Sequence, residues 1–351
     1  MQEKIEITEP ILVGNSIIWV VDIEGLEVIE EYQYTYYLLQ NGNVVERVAY
    51  KNIIKNKFEI KIELVESSAY KVQIFIKKKG NLLFNKYGTT AYVDLETNKL
   101  LKPYFYKEKI YFNDIPVKYV FHPASSNYLV VCFSGISKRE YQGKSPVYNY
   151  IRTLEDVRIN RLYILDSYEG HFCYYLGKKG KRDFEKAILA LITEIANDAN
   201  ISAQNIITAG SSKGGTAALY YALTYNYGLT IVGAPQIYIG KFLKSFSKNK
   251  YIKAAYLQMV GNPTKQMEKY LDQLMFVRLS NYKNKSTLFF HVGRGDYHFD
   301  SHLKPFLVNC DLKNIDYELQ IGEYSNHSET GSYFGPILKK KIEAYINERG
   351  C

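Results

Sequence analysis

The sequence predicts a two-part chain, a small antiparallel β-sandwich followed by a larger α/β domain, on three observations. Residues 4–93 alternate apolar and polar side chains with period two, as strands with one buried face do. Beyond a connector, short apolar runs of strand type alternate with stretches of helical period, the pattern of a mostly parallel sheet with helices on both faces. Within that second part, Gly210-Ser211-Ser212-Lys213-Gly214 follows the apolar run Ile206-Ile207-Thr208-Ala209 and opens a helical run over 216–223. A Gly-x-Ser-x-Gly motif between strand and helix is the nucleophile elbow of the α/β-hydrolase fold. The expected division is a sandwich over 1–95, of immunoglobulin or fibronectin type, a linker over 96–102 and an α/β-hydrolase domain over 103–351.

In the first part, Tyr32, Tyr34, Tyr36 and Leu38 share one face, Asn41-Gly42 supplies a hairpin turn, and Val44, Val45 and Val48 begin the return strand. Phe58, Ile60, Ile62 and Leu64 then alternate with charged residues, and Tyr70, Val72, Ile74 and Ile76 with mostly polar ones. Through Tyr34, Tyr36 and Ala69-Tyr70-Lys71-Val72 this segment resembles the three-tyrosine β-sandwich domain of two-component regulators, a resemblance that bears on fold alone. In the second part, strands are expected at 109–112, 118–121, 128–133, 161–165, 205–209, 229–233, 287–292 and 316–321. Helices are expected at 184–195, where Ile188, Leu191, Ile192 and Ile195 share a face, and at 336–349.

Composition narrows the function classes. With 351 residues, 46% of them hydrophobic and 23% charged, the chain has material for two cores. Residues 1–9 mix acidic, basic and apolar types, unlike a secretory signal, and no apolar run reaches membrane-spanning length. Cys132, Cys173, Cys310 and Cys351 have no paired metal spacing, and a reducing cytoplasm is the expected setting. The net charge of +9 gathers in lysine clusters at 77–79, 178–182 and 339–341. These read first as solvated faces, and secondly as surfaces for an anionic polymer, a phosphorylated donor or a membrane contacted peripherally. No helix-turn-helix, zinc or RNA-binding signature accompanies the charge, so nucleic acid is not an expected partner.

A serine hydroxyl becomes a useful nucleophile when a histidine takes its proton and a carboxylate orients that histidine. Ser212 is the candidate nucleophile, and the fold places its partners later in the chain, acid before histidine, on loops after strands. Asp296, in Gly293-Arg294-Gly295-Asp296, is the candidate acid, with Asp300 and Glu323 as alternatives, and His327, in Asn326-His327-Ser328, is the candidate base. His298 and His302 precede the last strand, which suits them to substrate contact better than to the base role. An oxyanion hole is expected from the backbone N–H of Lys213 and from the loop Ser134-Gly135-Ile136 after the 128–133 strand. Asp166, Ser167 and His171 follow a central strand and, with His298, are candidate substrate contacts. The Gly-x4-Gly-Lys-Ser/Thr spacing of a phosphate loop is missing, as are His-Glu-x-x-His and paired cysteines, so metal chemistry is not expected.

Asp166-Ser167, Tyr174-Tyr175-Leu176-Gly177 and the elbow through Gly215 together resemble bacterial serine α/β-hydrolase proteins of surface-glycan loci. These include capsular polysaccharide biosynthesis proteins and the glycan O-acetyltransferases of accessory Sec systems, which also join a β-rich N-terminal region to a hydrolase-like domain. The resemblance implies acyl transfer to a carbohydrate hydroxyl through an acyl-serine, or a related glycan esterase, with a donor such as acetyl-CoA, no tightly bound cofactor, and capsule-synthesis or secretion proteins as partners of the N-terminal domain; the alternatives are a hydrolase of small esters, thioesters or peptides, and a noncatalytic partner in glycan synthesis or secretion. The Sec-associated relatives use a glutamate as acid, so the role of Asp296 rests on general fold logic.

Overall fold

Eleven short strands build the first part of the chain in a computed structural model that describes residues 3–96, 98–101, 107–283 and 286–349. They are β1 (Lys4–Ile7), β2 (Ile11–Val13), β3 (Ser16–Glu24), β4 (Tyr32–Gln40), β5 (Asn43–Arg47), β6 (Lys51–Asn52), β7 (Lys57–Glu63), β8 (Ser68–Lys78), β9 (Asn81–Tyr87), β10 (Ala91–Asp94) and β11 (Lys99–Leu101). In one antiparallel sheet, β3 pairs with β1, β2 and β7; in the other, β8 lies between β4 on one side and β9 and β10 on the other. The two sheets share a core of Ile17, Trp19, Val21 and Ile23 from β3, Ile60 and Ile62 from β7, and Tyr70, Val72, Ile74 and Ile76 from β8. Alternate residues of β3, β7, β8 and β10 therefore face inward, as the period-two pattern requires, whereas β4 buries Tyr32, Thr35 and Leu38 and β5 is exposed throughout. Fully buried Trp19 keeps its indole N–H satisfied by donating to Thr89 O at 3.0 Å.

The stretch expected to be a linker contains a strand. Leu101, Leu100 and Lys99 of β11 pair with Tyr92, Val93 and Asp94 of β10, so the chain is still completing the sandwich sheet there; residues 97 and 102–106 lie outside the described ones. One compact unit comprises Met1–Tyr106 and Ile110–Pro116, and the other Lys107–Lys109 and Val117–Cys351. The chain passes between them along β12 (Lys109–Asn113) and β13 (Ile115–His122).

The second unit continues with β14 (Leu129–Phe133), β15 (Asn160–Ile164), α1 (Asp183–Asp198), β16 (Ile206–Ser211), α2 (Lys213–Tyr225) and β17 (Leu229–Gly233). Then come α3 (Ile239–Ser245), α4 (Lys250–Val260), α5 (Lys265–Ser280), β18 (Thr287–Gly293), α6 (Lys304–Leu312), β19 (Glu318–Gly322) and α7 (Thr330–Glu348). The sheet order is β13-β15-β14-β16-β17-β18-β19, antiparallel at β13 and parallel from β15 onward. The all-buried strands β14, β16 and β17 read as continuous apolar runs because helices cover both of their faces. This is the α/β-hydrolase fold, preceded by an antiparallel β-sandwich. Helix α7 begins six residues before Pro336, where the sequence pattern starts it; proline favours a first helical turn but is accommodated here in the interior. Among the described residues no helix is long and apolar enough to cross a membrane, and Cys132, Cys173 and Cys310 are free and buried.

Candidate active site

The turn between β16 and α2 holds Ser212 at φ 54° and ψ −126°, a conformation that non-glycine residues rarely adopt and that costs about 1–3 kcal/mol unless its surroundings enforce it. They do: Ser212 N donates to Gly233 O at 2.8 Å and Thr216 N to Ser212 O at 3.0 Å, tying the turn to β17 and to the first turn of α2. The flanking glycines serve close approach. A Cβ on Gly214 would lie 2.2 Å from Phe133 O, and one on Gly210 would lie 2.4 Å from Gly214 O, so any side chain would force β14, β16 and α2 apart.

Asp296 and His327 are brought to this serine by two loops laced together. Arg294 N donates to Gly322 O at 2.8 Å and Gly295 N to Tyr324 O at 3.1 Å, and Gly295 has no room for a Cβ, which would meet Ser325 Oγ at 2.1 Å. His327 opens a short 3₁₀ turn into α7, fixed by a capping box in which Asn326 Oδ1 accepts from Ser328 N and Glu329 Oε2 accepts from Asn326 N. His327 Nδ1 then lies 2.8 Å from Asp296 Oδ2, and its Nε2 lies 3.0 Å from Ser212 Oγ. A carboxylate only accepts, so the His327 proton sits on Nδ1 and leaves Nε2 free to take the serine proton.

The candidate acid, Asp296, is buried. Burial alone would push the Asp296 carboxyl up, but hydrogen bonds from the His298 and His327 rings and from His298 N hold it well below the usual carboxylate range. Thr330 Oγ1 adds a fourth contact at 3.3 Å. Asp300 and Glu323, the alternative acids, are exposed and paired elsewhere, with Lys304 at 3.3 Å and Arg294 at 2.9 Å. Asp296, His298 and His327 also bring one potential metal-ligand atom each within 4.8 Å of one another, although both Nδ1 atoms already face the carboxylate as donors.

Several expected contacts fall elsewhere. His298, expected at the substrate, is fully buried behind Asp296, its ring stacked 3.7 Å from that of His327 and 5.2 Å from that of His302. Burial pushes both His298 and His302 down, His302 to about 3, and the Tyr238 N–H donating to His302 Nδ1 agrees with a neutral ring. Asp166, another expected substrate contact, is fully buried and accepts from Lys213 Nζ at 2.9 Å and Cys173 N at 2.8 Å. The Lys213 side chain is itself completely buried, over the Phe172 and Tyr175 rings. His171 pairs through its backbone with Tyr168, half-buried Ser167 follows Asp166 on the same loop, and neither lines the cavity at Ser212. The Gly135 N–H, an expected oxyanion donor, is already given to Asn149 Oδ1 at 2.8 Å. Lys213 N heads α2, where first-turn N–H groups have no intrahelical acceptor.

A cavity of about 620 Å³ is lined by Ser212 and His327, by Gly135, Ile136 and Lys138, and by the aromatic residues Tyr141, Tyr150, Phe242, Phe246 and Tyr297. One polar neighbour of the nucleophile has no counterpart in the sequence reading: Gln236 Nε2 donates to Ser212 Oγ at 2.9 Å. A signal for it exists, since Gly233-Ala234-Pro235-Gln236 follows β17 directly and loops after parallel strands collect site residues.

Fold and site together define an α/β domain of the hydrolase fold in which Ser212, His327 and Asp296 are hydrogen-bonded in series. Residues 119–259, from β13 into α4, are similar to the family described as accessory Sec system GspB-transporter. No curated protein matches the sequence. Among solved structures, the capsule O-acetyltransferase of Neisseria meningitidis serogroup A aligns at 20% identity and TM-score 0.54 over 65% of this chain and 94% of its own. The Gap123 glycosylation-associated protein complex of Streptococcus agalactiae aligns at 17% identity and TM-score 0.57, over 97% of this chain and 63% of that one. The serine hydrolase FphF of Staphylococcus aureus, which binds fluorophosphonates, aligns at 15% identity and TM-score 0.51 over 67% and 96%. At these identities the likeness is one of fold. An O-acetyltransferase and a serine hydrolase share it.

Proposed function

We propose that the chain is a serine-dependent O-acetyltransferase that esterifies a hydroxyl of a bacterial surface glycan through an acyl-Ser212 intermediate. The observation that carries this reading is the relay from Ser212 Oγ through His327 to buried Asp296, at 3.0 and 2.8 Å, next to a cavity lined in part by aromatic residues. Ser212 Oγ attacks a thioester carbonyl as its proton passes to His327 Nε2, and the tetrahedral adduct collapses as His327 returns that proton to the departing thiolate. A sugar hydroxyl then repeats the sequence on the acyl-serine, with His327 taking the hydroxyl proton and returning it to Ser212. Acetyl-CoA is the proposed donor, supported by a neighbour of the same fold, a histidine-to-alanine variant of the Neisseria capsule enzyme, whose structure is a complex with CoA. Apolar ring faces suit a sugar acceptor, and the +9 charge suits a cytoplasmic protein working peripherally at an anionic membrane face or on an anionic glycan. The N-terminal sandwich is proposed to dock capsule-synthesis or secretion proteins.

Hydrolysis of small esters or thioesters is the second reading, favoured by the partial exposure of the His327 side chain, 26%, which admits water to the base. Incubation with labelled acetyl-CoA and a capsular glycan distinguishes the two. Label on the glycan, absent with Ser212→Ala, is the expected result; acetate release with an unlabelled glycan overturns transfer in favour of hydrolysis.

A further inference from the structure

The structure assigns the side-chain amide of Gln236 as a donor to the oxyanion of the acyl-transfer intermediates, completing with Lys213 N a hole that the Gly135 N–H does not serve. This rests on the acyl-Ser212 reading. Gln236 is 1% exposed, and its orientation is fixed from both ends. Tyr174 Oη donates to Oε1 at 2.6 Å, so that Nε2 faces Ser212 Oγ at 2.9 Å. Tyr174 is itself buried and held at φ 54°. The Gln236 backbone is clamped to the nucleophile's own helix, its N–H donating to Thr216 Oγ1 at 2.8 Å and its carbonyl lying 3.1 Å from the same hydroxyl. In the resting site Oγ donates to His327 Nε2 and accepts from Gln236, which makes the assignment of the amide nitrogen consistent around the whole network.

When the Oγ–C bond forms, the Oγ proton moves to His327 Nε2 and the carbonyl π pair moves onto the carbonyl oxygen. The Oγ lone pair that received the Gln236 N–H is drawn into bonding, while a full negative charge appears two bonds away, within a small rotation of the same amide. A neutral donor already desolvated and aimed at the site has little reorganisation left to undergo, which is the condition under which such donors act most strongly. The step needs only the acyl donor, a thioester or activated ester. Gly135 N–H, by contrast, must first release Asn149 Oδ1.

The test uses the full chain with p-nitrophenyl acetate as acyl donor and a trifluoromethyl ketone, which adds to serine as an anionic hemiketal. Gln236→Ala is expected to lower kcat/KM by about 10²–10³ and to weaken ketone affinity by a matching factor, with the pH midpoint of acylation unchanged because His327 and Asp296 remain. Gln236→Glu is expected to fall below Gln236→Ala at pH 8, since a carboxylate would face the oxyanion, and Tyr174→Phe to give a smaller loss by freeing the amide. Circular dichroism identifies any variant that fails to fold, and Tyr174→Phe then carries the test. Slowed acylation with unchanged ketone affinity would overturn the assignment in favour of a purely positioning role, as would unaltered acylation in folded Gln236→Ala. Absence of any Ser212 acylation in the wild-type chain would instead sink the functional reading, and this inference with it.

Discussion

Two loops of the second unit each bury an aspartate just beyond a parallel strand, and they put it to opposite uses. After β15, Asp166 meets the ammonium of Lys213 in a fully buried ion pair; after β18, Asp296 meets the imidazoles of His298 and His327. The first pair is wholly buried and fixes geometry: it anchors Lys213, the residue after Ser212, to the loop beyond β15. His327 also reaches Ser212 Oγ through Nε2 at 3.0 Å, so in the proposed mechanism the second carboxylate stabilises the imidazolium formed as Ser212 reacts. The identity of the partner, and not burial or the place after a strand, separates structural from chemical acid.

The largest effects should fall on the second loop. His327→Ala is expected to abolish acyl-serine formation within the limits of a fluorophosphonate labelling assay, and Asp296→Asn to reduce turnover by up to ~10⁴ while leaving the fold intact. Rapid labelling of Ser212 in the His327→Ala protein would break the comparison at its root, by showing that no base on this loop is required.

The first loop should respond in stability. Removing one partner of a buried ion pair strands the other charge, at a cost of about 3–5 kcal/mol. Asp166→Asn or Lys213→Met is therefore expected to lower the urea midpoint strongly. The double variant Asp166→Leu/Lys213→Met should recover part of that loss, because neither charge of the pair remains and Glu140, 3.9 Å from Lys213 Nζ and pushed up by burial, can take a proton once the ammonium is gone. A double variant less stable than either single one would show that the pair contributes more than mutual neutralisation.

How far this contrast was readable in the sequence follows from what each residue's role depends on. Ser212, Asp296 and His327 were legible because the elbow is a local motif, and chain order and the post-strand rule then name its partners. Asp166 precedes Ser212 and satisfies the post-strand rule alone, which suits a substrate contact; its structural role was hidden because its partner Lys213 is 47 residues away and is chosen by packing across the sheet. Asn149 and Gln236 owe their positions to tertiary clamps, Gly135 N and Thr216 Oγ1, which no spacing announces. The aromatic lining of the cavity was missed for a related reason. Residues 234–286 carry no element in the sequence reading, yet they form α3, α4 and α5, and Phe242 and Phe246 reach the cavity from α3 and the turn after it. In the sandwich, where the central strands β3, β7 and β8 are local period-two patterns, little was lost beyond the strand hidden in the linker.

A smaller effect concerns pH. His302, with its folded value pushed down to about 3 against an ordinary value of 6.5, binds a proton more readily when the chain is unfolded, and buried His298 is shifted the same way. Stability from these rings is thus fully present above pH 6.5 and is lost as pH falls toward 3, with a slope of at most ~1.4 kcal/mol per pH unit for each ring. Urea midpoints measured from pH 8 to pH 4 should fall on the acid side, and His302→Phe should flatten the curve. A curve indifferent to that substitution would assign the acid sensitivity to other groups.

The least effect is expected from Asp300→Asn and Glu323→Gln. Both carboxylates are about three-quarters exposed and engaged with surface cations, Lys304 and Arg294, and neither is paired with a histidine. Exposed ion pairs of this kind contribute little, and Asp296 already occupies His327 Nδ1 at 2.8 Å. Steady-state turnover of an activated ester by either variant should stay within about twofold of wild type, the range normal for surface changes away from a site. The informative comparison adds each change to Asp296→Asn. If Glu323→Gln lowers the residual turnover of that variant further, Glu323 has rotated in to orient His327, and the division between buried chemical acid and exposed charge is less strict than the resting geometry implies. If the double variant matches Asp296→Asn alone, His327 depends on a single carboxylate.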